Sequence, residues 1–130
     1  CYTGLVKFVI EGELCDLNTY IKALNSSRFG GNVIKQAETQ RVATEARIGQ
    51  ICPIAAFPVV IRYLWVSKDQ RKDLDNIAFA KKFINDGLVQ AGVLPDDSRR
   101  YVAGFSDSFA IDKDRPRVEI EIIPAASLAA

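Results

Sequence analysis

A strongly apolar stretch, Phe57 to Val66, constrains the fold more than any other part of the chain. β-branched and aromatic residues dominate it, and Val59, Ile61, Tyr63 and Trp65 alternate onto one face. Because its other face is also largely apolar, the segment is typical of a strand in the middle of a sheet that is covered on both sides. The sequence therefore predicts a central strand with helices and further strands around it.

The rest of the chain supplies those elements. Its patterns predict further strands at 5–10, 101–110 and 117–123, and helices at 16–24, 33–48 and 77–91. The polar, glycine-rich stretch 25–32 is predicted to be a loop or a segment that orders on a partner. This order describes an α/β fold in which a mixed sheet of about four strands packs with helices. We expect one domain over 1–130, with 124–130 as a loose tail.

Composition excludes several classes of function. The chain is 48% hydrophobic and 25% charged, which is ordinary for a folded protein. No apolar run approaches the ~20 residues of a membrane span, so we expect no membrane partner and a cytoplasmic location. The absence of histidine excludes Ser-His, Cys-His and His-metal chemistry. General acid–base catalysis would therefore have to use Asp, Glu, Lys or Tyr side chains, or a metal-bound water.

An acidic motif separates the central strand from the helix that follows. Residues 71–76 read Arg-Lys-Asp-Leu-Asp-Asn, and in extended chain Asp73 and Asp75 point to one side. A second acidic pair, Asp96-Asp97, follows the helix. If the helix lies back along the sheet, these carboxylates gather at one edge, where Mg²⁺ or Mn²⁺ would relieve their repulsion. The motif therefore predicts a site for a hard divalent cation.

A structural interpretation of the same residues stays open. Asp75 or Asn76 suits a helix N-cap, and Pro95-Asp96-Asp97 suits a turn. Two carboxylates about 4 Å apart repel by only about 1 kcal/mol in water, so a surface tolerates them without a metal. Local residues alone leave both interpretations standing.

Positive charge is local rather than global, since the formal net charge is only +1. Arg71 and Lys72 precede the acidic pair, and cations beside carboxylates suit a site that handles phosphate and metal together. Arg28 and Phe29 could meet a phosphate and a base, and Lys35 lies on a polar side of the helix at 33–48. Alternating charges on a solvated loop are the plainer alternative.

The motif residues carry a resemblance to a known family. Asp73-Leu-Asp-Asn76 opening a helix, followed by Ala91-Gly-Val-Leu-Pro-Asp-Asp97 leading into strands, resembles the RusA family of phage-type Holliday junction resolvases. The likeness spans about residues 5–123. It implies a RusA-like homodimeric endonuclease, encoded by a bacterium or a phage, that resolves four-way or branched DNA in recombination and repair by paired phosphodiester hydrolysis. It also implies Mg²⁺, with Mn²⁺ as the alternative, and no small-molecule cofactor.

The resemblance assigns roles residue by residue. It implies that Asp73, Asp75 and Asp97 are the catalytic and metal-binding acids, with Asn76 and Asp96 as supporting groups. We expect the DNA contacts to come from the basic residues Arg28, Lys35, Arg71 and Lys72.

One position departs from the family pattern. The family carries a lysine three residues after the motif asparagine, and here that place holds Phe79. Lys82 lies two helical turns beyond Asp75 on the same face, whereas Lys81 is rotated away. We therefore predict that Lys82 substitutes for the missing lysine as a catalytic residue.

Three other functions remain open at this stage. A branched-DNA binding protein with little cleavage activity would follow from the missing lysine. A metal-dependent phosphohydrolase acting on a small substrate would require an enclosed pocket. A structural protein would use its aspartates only as caps and turns.

Overall fold

The computed structural model describes residues 5–49 and 51–128. The chain forms a single small α/β domain with a mixed sheet of four strands, which confirms the predicted fold class. In chain order its elements are β1 (Val6–Glu11), α1 (Leu17–Ser26), α2 (Gly30–Ile48), β2 (Val59–Ser67), α3 (Leu74–Ala78), α4 (Lys81–Gln90), β3 (Val102–Ile111), β4 (Arg117–Pro124) and a closing 3₁₀ turn (Ala125–Leu128). Within the described residues, no helix is long and apolar enough to cross a membrane.

The sheet has the strand order β1-β4-β2-β3. β4 pairs antiparallel with both β1 and β2, whereas β2 and β3 run parallel. A parallel pair needs a crossover connection, and α3 and α4 provide it. β2 is paired on both sides, so the prediction of a central strand is confirmed.

The helices pack on one face of this sheet. Val59, Ile61, Tyr63 and Trp65 of β2 are at most 2% exposed and share a core cluster with buried residues of α2 and α4. The opposite face is not covered in the same way, because Arg62 is exposed and its guanidinium lies 3.4 Å from Glu121. The expectation that β2 is largely covered on both faces is therefore met only in part, since on the second face Val66 is buried and Val60 and Leu64 are half-buried.

Glycines bring α1 and α2 close together at their shared corner. The predicted loop at 25–32 is shorter than expected, because α2 already begins at Gly30. A side chain at Gly31 would collide with Leu24, and one at Gly30 would collide with the carbonyl of Ala23. These glycines thus serve a close approach between helices rather than a flexible loop.

The helix predicted at 77–91 is two helices. α3 begins at Leu74 and ends at Ala78, and α4 begins at Lys81 after a tight turn in which Lys82 N donates to Phe79 O at 3.3 Å. Asp73 occupies the N-cap position of α3, so the prediction of Asp75 or Asn76 as the cap is wrong. Asp75 lies in the first helical turn, and the extended geometry expected for Asp73 and Asp75 does not occur.

The C-terminal half of the structure agrees more closely with the predictions from the sequence. The register between β2 and β3 shifts at Ala103, which confirms the irregularity predicted near Gly104. Val118, Ile120 and Ile122 of β4 face the core, as their alternation predicts. The described part of the predicted loose tail is ordered as the 3₁₀ turn, where Ala125 N donates to Pro58 O at 2.8 Å. Residues 129–130 lie outside the described residues.

Candidate nucleic-acid and metal site

Lys82, on α4, lies beside the second part of the acidic motif. Its ammonium nitrogen lies 3.1 Å from a carboxylate oxygen of Asp86, one turn along α4, and 3.6 Å from a carboxylate oxygen of Asp97. The hydrogen bond to Asp86, reinforced by Asp97, raises the pKa of Lys82 above its ordinary value. The predicted substitute lysine therefore lies beside one of the predicted metal-binding acids and carries its charge at neutral pH.

The loop after α4 holds Asp97 in that place. Gly92 adopts a left-handed backbone with φ of 79°, as expected for the residue that ends a helix. Val93 and Leu94 then turn into the core, where they are 2% and 1% exposed. Ile54 N donates to the carbonyl of Val93 at 2.9 Å, so the loop is fixed from both sides before it reaches Asp97.

The other two predicted metal ligands lie at the start of α3. Asp73 and Asp75 are both exposed, and a carboxylate oxygen of Asp75 accepts a hydrogen bond from Asn76 N at 2.9 Å. The Asn76 side-chain oxygen accepts from Asn18 N at 2.9 Å and so connects α3 to α1. Asn76 thus helps to hold α3 against α1. Its predicted supporting role in catalysis stays a prediction.

A shared metal site requires the three aspartates to meet, and they do not form such a group. Among the described residues, no three Cys, Asp or Glu side chains lie close enough together to hold a metal ion. Carboxylates are suitable ligands for Mg²⁺ or Mn²⁺, but in this arrangement Lys82 supplies the positive charge next to Asp97. We therefore assign no reaction step to a metal, and the predicted metal site stays a prediction.

An aromatic cluster surrounds Phe79, the residue that stands where the resemblance to the RusA family leads us to expect a lysine. The ring of Phe79 lies 5.2 Å from that of Tyr20 and 5.4 Å from that of Phe83, measured between centroids. These contacts tie α1 to the junction of α3 and α4. Phe79 is thus a packing residue, which explains physically why this position tolerates an aromatic ring.

Of the basic residues predicted to bind DNA, Lys72 is held by two carboxylates. Its ammonium nitrogen lies 2.8 Å from Asp16 and 3.4 Å from Glu13, and the hydrogen bond to Asp16 raises its pKa. Asp16 also caps α1 by accepting from Thr19 N at 2.8 Å. Lys72 therefore fastens the start of α1 to the segment that leads into the acidic motif.

The remaining predicted DNA contacts are open to solvent. The Arg71 side chain is 88% exposed and lies 3.6 Å from Asp69. Arg28 is exposed beside Phe29, whose ring centre is 5.6 Å away, and Phe29 itself is 64% exposed. Lys35 is exposed on the first turns of α2. These three cations can approach a phosphate backbone without breaking a core contact.

Sequence reasoning missed a second charged group at the edge of the sheet. The Lys81 ammonium lies 2.6 Å from Asp107 of β3 and 5.0 Å from the ring centre of Phe105. Trp65 donates its indole N–H to the same carboxylate at 2.8 Å. The sequence carries no local signal for this group, because it depends on the parallel register that places Tyr63 opposite Asp107.

A scan of protein-family models and a search of curated proteins both find no match to this chain. The resemblance to the RusA family therefore rests on the motif residues quoted above.

Proposed function

We propose that this chain is a structure-specific endonuclease of the RusA type that cuts four-way or branched DNA. The observation that carries the proposal is the contact of Lys82 with Asp97, since it joins the helix after the first acidic motif to the loop that carries the second. The enzyme would act in the cytoplasm as a homodimer and depend on Mg²⁺ or Mn²⁺. A two-fold dimer suits this substrate because two equal sites can cut symmetric strands.

The proposed catalytic acids are Asp73, Asp75 and Asp97. They do not form one ligand group, so a shared ion would require α3 and the Asp97 loop to approach each other. No described side chain of α3 is fully buried and Leu74 is 57% exposed, although Ile77 and Ala78 pack partly against the core and Asn76 bonds to α1. Elements with few buried contacts are the ones that open and shift at low cost.

The chain's own cations would bind the phosphates. Arg28, Lys35 and Arg71 are exposed and can neutralise backbone phosphates, which supplies salt-dependent affinity without sequence readout. Lys82 would hold positive charge beside Asp97, where the scissile phosphate is proposed to lie. Lys72 would keep α1 in place through Asp16.

A second candidate function is a branched-DNA binding protein with little cleavage activity. The packing of Phe79 against Tyr20 and Phe83 favours it, because the family lysine has no equivalent at that position. A small-substrate phosphohydrolase is supported less well, since Asp73 and Asp75 are exposed rather than enclosed in a pocket.

Binding and cleavage measured in parallel separate the two candidates. The full chain is mixed with a synthetic four-way junction or a linear duplex of the same sequence, with Mg²⁺, Mn²⁺ or EDTA. Nicking of the junction in metal supports the endonuclease, whereas tight junction binding without nicking supports the binding protein. Equal binding of both substrates and no nicking would contradict both candidates.

A further inference from the structure

A shallow hollow lies at the end of the sheet where β2 and β3 finish. These two strands run parallel, and their register pairs their last residues, Ser67 and Ile111. Open α/β sheets bind ligands outside the carboxyl ends of their parallel strands, because the chain leaves the sheet there and opens a crevice. The hollow has a volume of about 160 Å³, which gives room for one planar ring but not for a double helix.

The lining of the hollow is largely apolar. Leu74 of α3 is 57% exposed and Ile111 of β3 is 50% exposed, while Ile77 and Phe109 are half-buried beside them. An aromatic ring among aliphatic side chains suits a planar ligand, which can contact Phe109 and remove the aliphatic groups from water. The lining therefore favours a ring over a charged or flexible group.

Polar and basic side chains accompany this apolar lining. Gln70 lines the hollow and is exposed, and its amide can both donate to and accept from the edge of a base. Lys68 and Arg71 are exposed on the same loop and can reach the phosphates on either side of a bound base. Asp69, also on the lining, is engaged by Arg71, whose backbone N–H donates to its carboxylate at 3.0 Å. These contacts match the base and the phosphates of a nucleotide.

The hollow adjoins the proposed catalytic acids. Leu74, which lines it, stands between Asp73 and Asp75 in the chain, and both aspartates are exposed. Each base of a DNA strand is flanked by two phosphates, so a phosphate held at either aspartate brings a neighbouring base to the hollow. The position of Leu74 therefore puts the hollow within reach of the base next to the cut.

We propose that the hollow binds one unstacked nucleobase of the DNA strand, next to the phosphate at which the strand is cut. The base contacts Phe109 and covers Leu74 and Ile111, while the Gln70 amide contacts its edge. This inference rests on the proposed function and deepens it. A base inside an intact duplex must first be unpaired and unstacked, whereas a branch point supplies bases that have already lost a neighbour. The hollow thus gives the protein a means to prefer branched DNA over duplex DNA.

Photo-crosslinking of the full chain locates the bound base directly. The chain is bound in EDTA to four-way junctions that carry 5-iodouracil in place of thymine at successive positions around the branch point. Irradiation joins the labelled base to an aromatic side chain in contact with it, and peptide mass spectrometry identifies that side chain. We expect the link on Phe109, which lines the hollow. A linear duplex with the same label should give about tenfold less of it.

Changes on the lining should weaken this link while the fold is kept. Ile111→Asp places a charge in the hollow without altering either aspartate of α3, and it should lower both the yield of the link and the junction affinity about tenfold. Gln70→Ala should lower the affinity about threefold through the lost contact with the base edge. Ile48→Asp, which changes a 72% exposed isoleucine of α2, is the matched control and should leave both quantities at the wild-type level. Circular dichroism confirms that each variant is folded.

Two outcomes would overturn the base site. One is junction binding with no link to Phe109, or with the link on an aromatic residue outside the hollow such as Phe29. The other is an effect of Ile48→Asp as large as that of Ile111→Asp.

The same junctions in Mg²⁺ distinguish this proposal from the proposed cleavage. Nicking without a link to Phe109 would overturn the base site alone, whereas a link without nicking would overturn the cleavage and support the base site. A chain that binds no junction would contradict both.

Discussion

The ammonium nitrogen of Lys82 lies 3.6 Å from a carboxylate oxygen of Asp97, across the gap between α4 and the loop that precedes β3. The same nitrogen lies 3.1 Å from Asp86, so one cation serves two carboxylates. This arrangement raises the pKa of Lys82 and keeps the side chain charged at neutral pH. A fixed cation beside an acid is the feature from which the proposed cleavage activity can be tested directly.

Replacement of Lys82 should affect cleavage more than binding. We predict that Lys82→Ala lowers the rate of junction nicking about 100-fold, because a positioned cation is lost where charge develops. Lys82→Arg retains the charge and should lose much less activity. Single-turnover cleavage measures the rates, and a gel-shift titration in EDTA should give the same junction affinity for all three proteins. Equal nicking rates in wild type and Lys82→Ala would exclude the substitute-lysine role.

The Asp16 cap should contribute to stability in a pH-dependent manner. We predict that Asp16→Ala lowers the free energy of unfolding by about 1–2 kcal/mol at pH 7, since Asp16 both caps α1 and holds Lys72. Burial alone would raise the pKa of Asp16, but hydrogen bonds from Lys72 and Thr19 lower it below the ordinary 3.8. The stabilisation is therefore complete above pH 3.8 and is lost as the pH falls below that value. Urea unfolding of both proteins at pH 7 and at acidic pH measures the difference.

Asp73 provides the matched control for this prediction. It occupies the N-cap position of α3, but within the described residues its side chain makes no capping hydrogen bond. Asp73→Ala should change the free energy of unfolding by no more than about 0.5 kcal/mol at either pH. A loss at Asp73 as large as that at Asp16 would show that the capping bond and the Lys72 contact are not the cause.

Gly87 allows α4 to pack tightly against α2. A Cβ atom at this position would lie 2.5 Å from a methyl carbon of Val42, which is fully buried, and 3.0 Å from the carbonyl oxygen of Thr39. We predict that Gly87→Ala destabilises the fold by about 1–3 kcal/mol through overpacking, although alanine favours an isolated helix by about 1 kcal/mol. In the double variant Gly87→Ala/Val42→Ala the combined loss should be smaller than the sum of the two single losses, as measured by urea unfolding. Additive losses would indicate that the two positions do not contact each other.

Local sequence patterns predicted much of the fold, and the predictions that failed share a physical cause. The alternation in β2 and β4 predicted which residues face the core, because strand pairing preserves a period of two. Gly30 and Gly31 were misjudged as loop residues, since their role depends on the close packing of α1 against α2. Local patterns do not contain such contacts.

In the candidate site, too, local patterns predicted some features and contacts between distant residues decided the others. The helical phase predicted Lys82 on the face of Asp75, but that prediction assumed one continuous helix, and the break between α3 and α4 removes its basis. The structure places Lys82 beside Asp86 and Asp97. The position of Asp73 and Asp75 could not be predicted, because it depends on the break between α3 and α4. The ion pairs of Lys72 with Asp16 and Glu13 could not be predicted either, since those two residues come from the start of the chain.

The most direct measurement of the proposed activity is the nicking of a four-way junction by Asp97→Asn and Asp96→Asn in Mg²⁺. Both variants remove one negative charge from adjacent residues of the same loop, but of these two aspartates only Asp97 forms an ion pair with Lys82 in the part of the chain that the structure describes. We predict that Asp97→Asn loses about 100-fold or more in rate while Asp96→Asn stays within a few-fold of wild type. Equal rates for wild type and Asp97→Asn would contradict the proposed endonuclease site.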